Sequence, residues 1–265
     1  MQKRHHNREQ YFVELANTAR EYYIDYLKQF KQLTGNERIL EIGCGEGGNL
    51  LPFSELGCTV YGLDIDTVKI ENANKFYPIY NKTNAEAKFE CLNFIDAEKP
   101  SSEEERYDIV LIHDVIEHIE PSFKATFIDN AKSYLKKDGL MFIAFPVWQM
   151  PYGGHQQICT TKLTQLPFIH LLPTCIYNWL LKTMKEDDNR RNELLSIVRC
   201  QMTPEKMFKL TKEIGFEVKD QLFWFINPHY KQKFGLKPRK MWKWLASIPY
   251  VRNPFATSMW VLIGG

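Results

Sequence analysis

Two carboxylates and a run of glycines near the start of the chain limit what that region can bind. The run reads Ile39-Leu40-Glu41-Ile42-Gly43-Cys44-Gly45-Glu46-Gly47-Gly48-Asn49. Glycines between a strand and a helix let the backbone approach a ligand closely, and the helix start offers unpaired N–H groups. Gly43, Gly45 and Gly48 alone also fit the G-x-G-x-x-G of dinucleotide-binding domains. Glu41, two residues before the first glycine, suits a ligand with an ammonium group, because beside a pyrophosphate like charges repel. Asp64 stands 21 residues after Gly43. Its two oxygens can accept both hydroxyls of a ribose, a demand that nicotinamide dinucleotides share.

A second group is His113-Asp114-Val115-Ile116-Glu117-His118-Ile119. Asp114, Glu117 and His118 are residue types that can hold a divalent metal. The preferred reading assigns none: Glu117 and His118 fix the start of the following helix. A third group lies in the loop Phe145 to Gln157, where Trp148 and Tyr152 supply aromatic walls. His155, in the same loop, can exchange a proton near neutral pH. It is the first candidate for a general base and His118 the second, each weighed against an ordinary hydrogen-bonded histidine.

These residues need a scaffold, and the hydrophobic pattern predicts one. Helical spacing runs through residues 8–33. Short apolar strands follow at Arg38 to Ile42, Cys58 to Leu63, Lys88 to Leu92, Tyr107 to Ile112 and Leu140 to Phe145. Helices fall between them at Asn49 to Leu56, at Asp66 to Tyr77 (ended by Pro78) and at Phe123 to Leu135, the last followed by a turn at Lys137-Asp138-Gly139. Five strands alternating with helices imply a doubly wound parallel sheet with ligands at the carboxyl ends of its strands. After Pro146 the rhythm breaks. Residues 146–202 read as an insertion holding an apolar stretch, Leu163 to Leu181, and a charged helix around Lys182 to Val198. Thr203-Pro204-Glu205 then starts a helix, with Thr203 as N-cap. Two more strands are expected at Phe216 to Ile226 and Ser258 to Ile263.

With these elements in place the chain resembles class I S-adenosylmethionine-dependent methyltransferases from about residue 20 to residue 145. The carriers are the E-x-G-x-G-x-G segment and the acidic end of the second strand. The resemblance implies a Rossmann-like, mostly parallel seven-stranded sheet with an insertion after strand five. It also implies S-adenosylmethionine as cofactor and S-adenosylhomocysteine as product. By it Glu41 faces the cationic end of the cofactor, while Gly43, Cys44, Gly45 and Gly47 bracket the methionine moiety. Asp64 holds the ribose, and Ile65 borders the adenine. Asn93 and Phe94 meet the adenine edge and face, although the family more often has Asp where Asn93 stands. His113 lies against the methionine or ribose, with Asp114 beside it. The H-D-V-I-E-H segment resembles small-molecule O-methyltransferases, including those of quinone biosynthesis. Some of those carry an E-x-x-E-H metal set, whose first Glu is the shorter Asp114 here.

The expected reaction is in-line methyl transfer to a small molecule, with oxygen as the leading acceptor atom. Lipid, saccharide and RNA acceptors stay open. An NAD(P)-dependent oxidoreductase is the first alternative, opposed by Glu41 and by the missing second nucleotide-binding half. A catalytically silent scaffold is the second, opposed by intact cofactor residues. The position after strand four reads His-Asp rather than the N-P-P-Y of nucleobase amino-methylating enzymes. No Pro-Cys dipeptide exists for a covalent cytosine mechanism.

The expected organisation is an N-terminal helical segment over 1–36 and a methyltransferase domain over 37–265. The domain carries a substrate-side insertion or lid at 146–202 and a basic aromatic extension at 227–255. Residues 221–265 hold seven Lys/Arg and no Asp or Glu, although the whole chain is only +2. Met241, Trp244, Leu245 and Ile248 share a helical spacing there. This section suits an anionic lipid, a phosphorylated substrate or RNA, or is a solvated hairpin. No clear nucleic-acid partner, no membrane span and no secretory signal are read, peripheral membrane contact is kept as an option, and the six cysteines without a C-x-x-C pair suit a reducing cytoplasm.

Overall fold

The structure is a computed structural model and describes residues 7–264; the first six residues of the expected N-terminal segment lie outside the described residues. Asn7 caps α1 (Arg8–Thr18), accepting from the Gln10 N–H. The helix then widens into a π turn at Ala19–Tyr23 before α2 (Ile24–Leu27). There follow β1 (Arg38–Ile42), α3 (Leu51–Glu55), β2 (Thr59–Asp64), α4 (Thr67–Tyr80), β3 (Ala87–Cys91), β4 (Tyr107–His113), α5 (Lys124–Ser133) and β5 (Leu135–Phe145). The insertion contributes α6 (Thr174–Thr183) and α7 (Asp188–Cys200). The chain closes with α8 (Pro204–Glu213), β6 (Glu217–Ile226), α9 (His229–Phe234), β7 (Arg239–Lys240), α10 (Lys243–Ala246) and β8 (Ser258–Gly264).

The strands form one sheet in the order β3-β2-β1-β4-β5-β8-β6-β7. β1 to β5 pair in parallel, and β8 runs antiparallel between β5 and β6. The doubly wound, mostly parallel sheet is as expected, but among the described residues it has eight strands rather than seven. The extra one is β7, a two-residue strand of the basic extension that pairs antiparallel with β6.

Period-two alternation sends the central strands into two cores. Leu40, Ile42, Val110, Ile112, Met141 and Ile143 meet α5 and α8 on one face. Ile39, Ile109, Leu111 and Phe142 meet Phe12, Tyr23 and Leu27 of the N-terminal segment on the other. Both faces are covered, which explains why these strands read as continuous apolar runs. A smaller cluster of Trp148, Tyr177, Leu181, Leu194 and Ile197 holds the insertion together.

Local boundaries differ in instructive ways. Pro78 lies inside α4 instead of ending it, because in the last turn its missing N–H removes one bond while Asn81 N–H still reaches Tyr77 O at 2.8 Å. The expected turn at Lys137-Asp138-Gly139 belongs to β5, which pairs with Tyr107 through Leu135 and bulges before Leu140. The charged helix expected around Lys182 to Val198 is split by Lys185, whose φ is +56°, into the ends of α6 and α7. The shared face of Met241, Trp244, Leu245 and Ile248 does not form. α10 is four residues long, Met241 and Leu245 point inward, and Trp244 and Ile248 are exposed.

Strand order reverses between β1 and β4, and open α/β sheets bind ligands outside the strand ends at such a switch point. Glu41 and the glycine run leave β1 there, and His113 leaves β4.

Candidate active site

The glycine run turns tightly under the end of β2. Gly43 and Cys44 both donate to Leu63 O, at 2.7 and 2.9 Å. Gly45 (φ +55°) would meet only the Lys69 Cδ, at 3.9 Å, if it carried a Cβ, so its backbone borders open space. At Gly47 (φ +81°) a Cβ would stand 2.5 Å from the Phe89 ring. The run therefore needs glycine for conformation and, at Gly47, for room. Cys44 contributes main chain only. Its thiol is buried, and burial pushes it well above the ordinary value.

Glu41 is almost fully buried beneath this run. One oxygen accepts from the Asn49 Nδ2 at 2.7 Å, and the other, Oε2, has no hydrogen-bond partner. Burial drives its carboxyl up to about 8, which the Asn49 bond opposes and the Asp64 charge reinforces. A buried acceptor left without a donor is costly, so the site is prepared for a cationic group. Glu46, buried beside Arg8 at 3.2 Å, adds a second carboxyl to the same rim and is itself raised by burial. Asp64 ends β2 with Oδ2 receiving Gly45 N–H and Oδ1 receiving Asp66 N–H, both at 2.9 Å. Each oxygen retains a further lone pair for a hydroxyl. Lys69 Nζ stands 3.8 Å from Oδ2.

Around the adenine-side expectations the structure divides them. Ile65 is 71% exposed next to Asp64, free to lie against a planar ring. Asn93 is exposed, but its side chain is engaged as a cap: Oδ1 accepts from Ile95 N–H and Nδ2 donates to Asp96 at 2.6 Å. The Phe94 ring is turned into the core against Phe127 and Tyr134, with centroids 5.4 and 5.1 Å away. The ring expected on the adenine face thus packs in the core of this structure.

At the end of β4, His113 packs against Tyr23 of the π turn, ring centroids 5.6 Å apart. Asp114 takes a left-handed conformation, φ +53°, and its carboxylate lies 3.7 Å from His113 Nε2. Its charge helps burial raise the phenols of Tyr11, Tyr23 and Tyr230. Tyr230 belongs to α9, a short helix that the hydrophobic pattern does not announce. α9 packs on α1, with Thr18 Oγ1 3.2 Å from His229 Nδ1 and Tyr11 edge-on to the His229 ring.

The two candidate bases come together although 37 positions separate them. The His118 and His155 rings meet edge-to-face with centroids 5.3 Å apart. Burial lowers both. His155 is held at about 3, with His118 and Lys233 contributing, while for His118 the Asp114 charge opposes the burial. Glu117 does not fix a helix start, since α5 begins only at Lys124. It is buried with no hydrogen-bond partner on either oxygen, and burial and Asp114 raise its carboxyl far above the usual range. Glu117 Oε1 and His118 Nε2 are 4.0 Å apart, and among the described residues no three His, Cys, Asp or Glu could hold a metal ion. Of the loop's aromatic walls, Trp148 is buried against His170 and Tyr152 is 40% exposed.

A family model described as a methyltransferase domain matches residues 13–166. The chain belongs to this methyltransferase family, whose Rossmann-like sheet it shares. Among curated relatives, a ubiquinone biosynthesis O-methyltransferase of Bartonella tribocorum is 37% identical over 115 residues, covering 41% of this chain and 41% of its own. That of Pelagibacter ubique is 33% identical over 109 residues, covering 41% of this chain and 42% of its own. The matches thus span about two fifths of those relatives' length. Among solved structures, magnesium protoporphyrin IX methyltransferase from Synechocystis with bound S-adenosylhomocysteine superposes with a TM-score of 0.55 at 13% identity, over 95% of this chain and 84% of that one. A phosphoethanolamine N-methyltransferase 2 of Haemonchus contortus, in complex with phosphomonomethylethanolamine and S-adenosylhomocysteine, gives 0.53 at 15%, over 91% and 51%.

Proposed function

We propose that this protein transfers the methyl group of S-adenosylmethionine to an oxygen of a small molecule. The observation that carries the reading is the buried, half-satisfied Glu41 beneath the glycine run, with Asp64 at the next strand end. The residues fit the cofactor: Glu41 would take its ammonium group, the Gly43–Gly47 backbone its methionine chain, Asp64 its ribose and Ile65 its adenine. When bound, the cofactor supplies an electrophilic sulfonium methyl. The Asp64 carboxylate, and Glu41 once a cationic ligand ionises it, suit that cation and oppose the pyrophosphate of a nicotinamide dinucleotide.

The protein's own part is alignment and proton handling. His118 takes the role of general base ahead of His155, reversing the order read from the sequence. A ring held near 3 scarcely retains a proton, whereas Asp114 supports the imidazolium form of His118. Trp148, the 146–202 insertion and α9 of the 227–255 extension form the acceptor side of a methyltransferase domain over 37–265. Oxygen as acceptor atom rests on the O-methyltransferase relatives, and a small molecule is the partner assigned. Six free cysteines suit a cytoplasmic setting. No helix among the described residues is long and apolar enough to cross a membrane.

Isothermal titration with S-adenosylmethionine and with NAD tests the assignment. S-adenosylmethionine should bind and NAD should not; preference for NAD ends the reading. Glu41→Gln should weaken S-adenosylmethionine by about 10- to 100-fold, as expected for loss of a charge-assisted bond.

A further inference from the structure

The connection between β6 and β8 carries an exposed apolar face with a cationic border. Met241 and Leu245 are buried in the core, and Arg252 and Asn253 are buried on Glu205, with Asn253 Nδ2 2.8 Å and Arg252 Nη2 3.2 Å from its carboxylate. Pinned at these points, the segment turns Trp242, Trp244, Ile248, Tyr250, Val251 and Phe255 outward. Trp242 is 55%, Trp244 63% and Tyr250 70% exposed. The two indoles lie parallel, 6.2 Å apart with 10° between their planes. Single exposed apolar residues are normal on a soluble protein; six within fourteen positions, held outward by buried neighbours, are not.

The charges that the segment itself carries are of one sign, with Glu205 beneath it accepting from the Tyr250 N–H at 3.2 Å. Lys231 pairs with Glu21 and Arg252 with Glu205, whereas Lys237, Arg239, Lys240 and Lys243 form no ion pair among the described residues. The segment itself contains no acidic residue. Tryptophan and tyrosine settle at the headgroup level of a bilayer, and lysine and arginine are drawn to anionic headgroups. Stacked indoles alone would also suit bases of a single strand, but Ile248 and Val251 offer nothing to a base and do gain from acyl chains. We propose that residues 237–255 dock this protein on an anionic membrane surface. The segment starts just beyond α9, which packs on α1 through His229. The docking stands independently of the methyl-transfer reading.

Co-sedimentation with vesicles tests it, using phosphatidylcholine alone and phosphatidylcholine with about one third phosphatidylglycerol. The full chain should pellet with the anionic vesicles, release as salt rises, and show a blue shift of tryptophan emission on binding. Trp242→Ala with Trp244→Ala should remove the blue shift and most of the binding. Neutralising Lys237, Arg239 and Lys243 to Gln should weaken binding by about fivefold for each cation. Circular dichroism checks that the variants, all at exposed positions, remain folded. Absence of binding to anionic vesicles, or binding that both variants retain, overturns the proposal. So does a single-stranded RNA oligonucleotide that binds through these residues while vesicles do not.

Discussion

The chemistry of the site rests on where protons reside. Glu41 has a folded-state carboxyl near 8, well above its unfolded value. The empty protein therefore holds its full share of stability from this group below about pH 4.3 and loses it as pH rises toward 8. A bound ammonium reverses the preference, because it favours the carboxylate. Binding of S-adenosylmethionine below pH 8 should release a proton, and affinity should rise between pH 6 and 8. Titrations in buffers of different ionisation enthalpy measure the proton, and Glu41→Gln should abolish both effects. For catalysis, His118→Ala should lower kcat by about 10²- to 10⁴-fold, and His155→Ala by much less. Burial depresses the His118 imidazolium, so the acidic limb of the pH–rate profile should fall below its ordinary value of about 6.5. A larger loss at His155 would return that residue to the leading role. Glu41 and Asp64 were legible as candidate site residues from their positions at strand ends. The engagement of Asn93 as a cap and of Phe94 in the core was not, because both depend on which way a three-residue turn faces.

Among the elements, the turn after β1 is the most constrained. Gly47 combines a positive φ with a Phe89 ring where a Cβ would go. Gly47→Ala should cost more than about 1 kcal/mol, from backbone strain and overpacking together. It should also shift the loop away from the cofactor. Denaturant unfolding measures the first effect and cofactor titration the second; an alanine variant with unchanged stability would contradict the packing described. The strands and helices of the first half followed from hydrophobic period, since both faces of each central strand are covered. The second half resisted such reading. The insertion keeps its own small core, and α10 is too short for a repeat to declare a face. The inward turn of Met241 and Leu245 is decided by the packing of β6 and α8, which no local pattern reports.

On the scale of the whole molecule, residues far apart in the chain gather around Asp114. Tyr11 and Tyr23 come from the N-terminal segment and Tyr230 from the last connection, all within reach of the Asp114 charge. Tyr26 Oη donates to Asp220 at 2.8 Å, joining that segment to β6. A ligand that binds such an assembly only when folded stabilises all of it. At a hundred times its dissociation constant S-adenosylmethionine should add about 2.7 kcal/mol. That corresponds to a Tm rise of roughly 5–10 °C, which scanning calorimetry would read and which NAD should not produce. By itself the sequence determined the parallel sheet, the glycine turn and the two carboxylates, because each follows from local period or from spacing along one strand–turn–helix unit. Only the tertiary structure decided that His118 meets His155, that α9 folds back on α1, and that the tryptophans of the last connection face outward. Those are relations between segments distant in the chain, fixed by which surfaces find room to pack and not by any residue's neighbours in sequence.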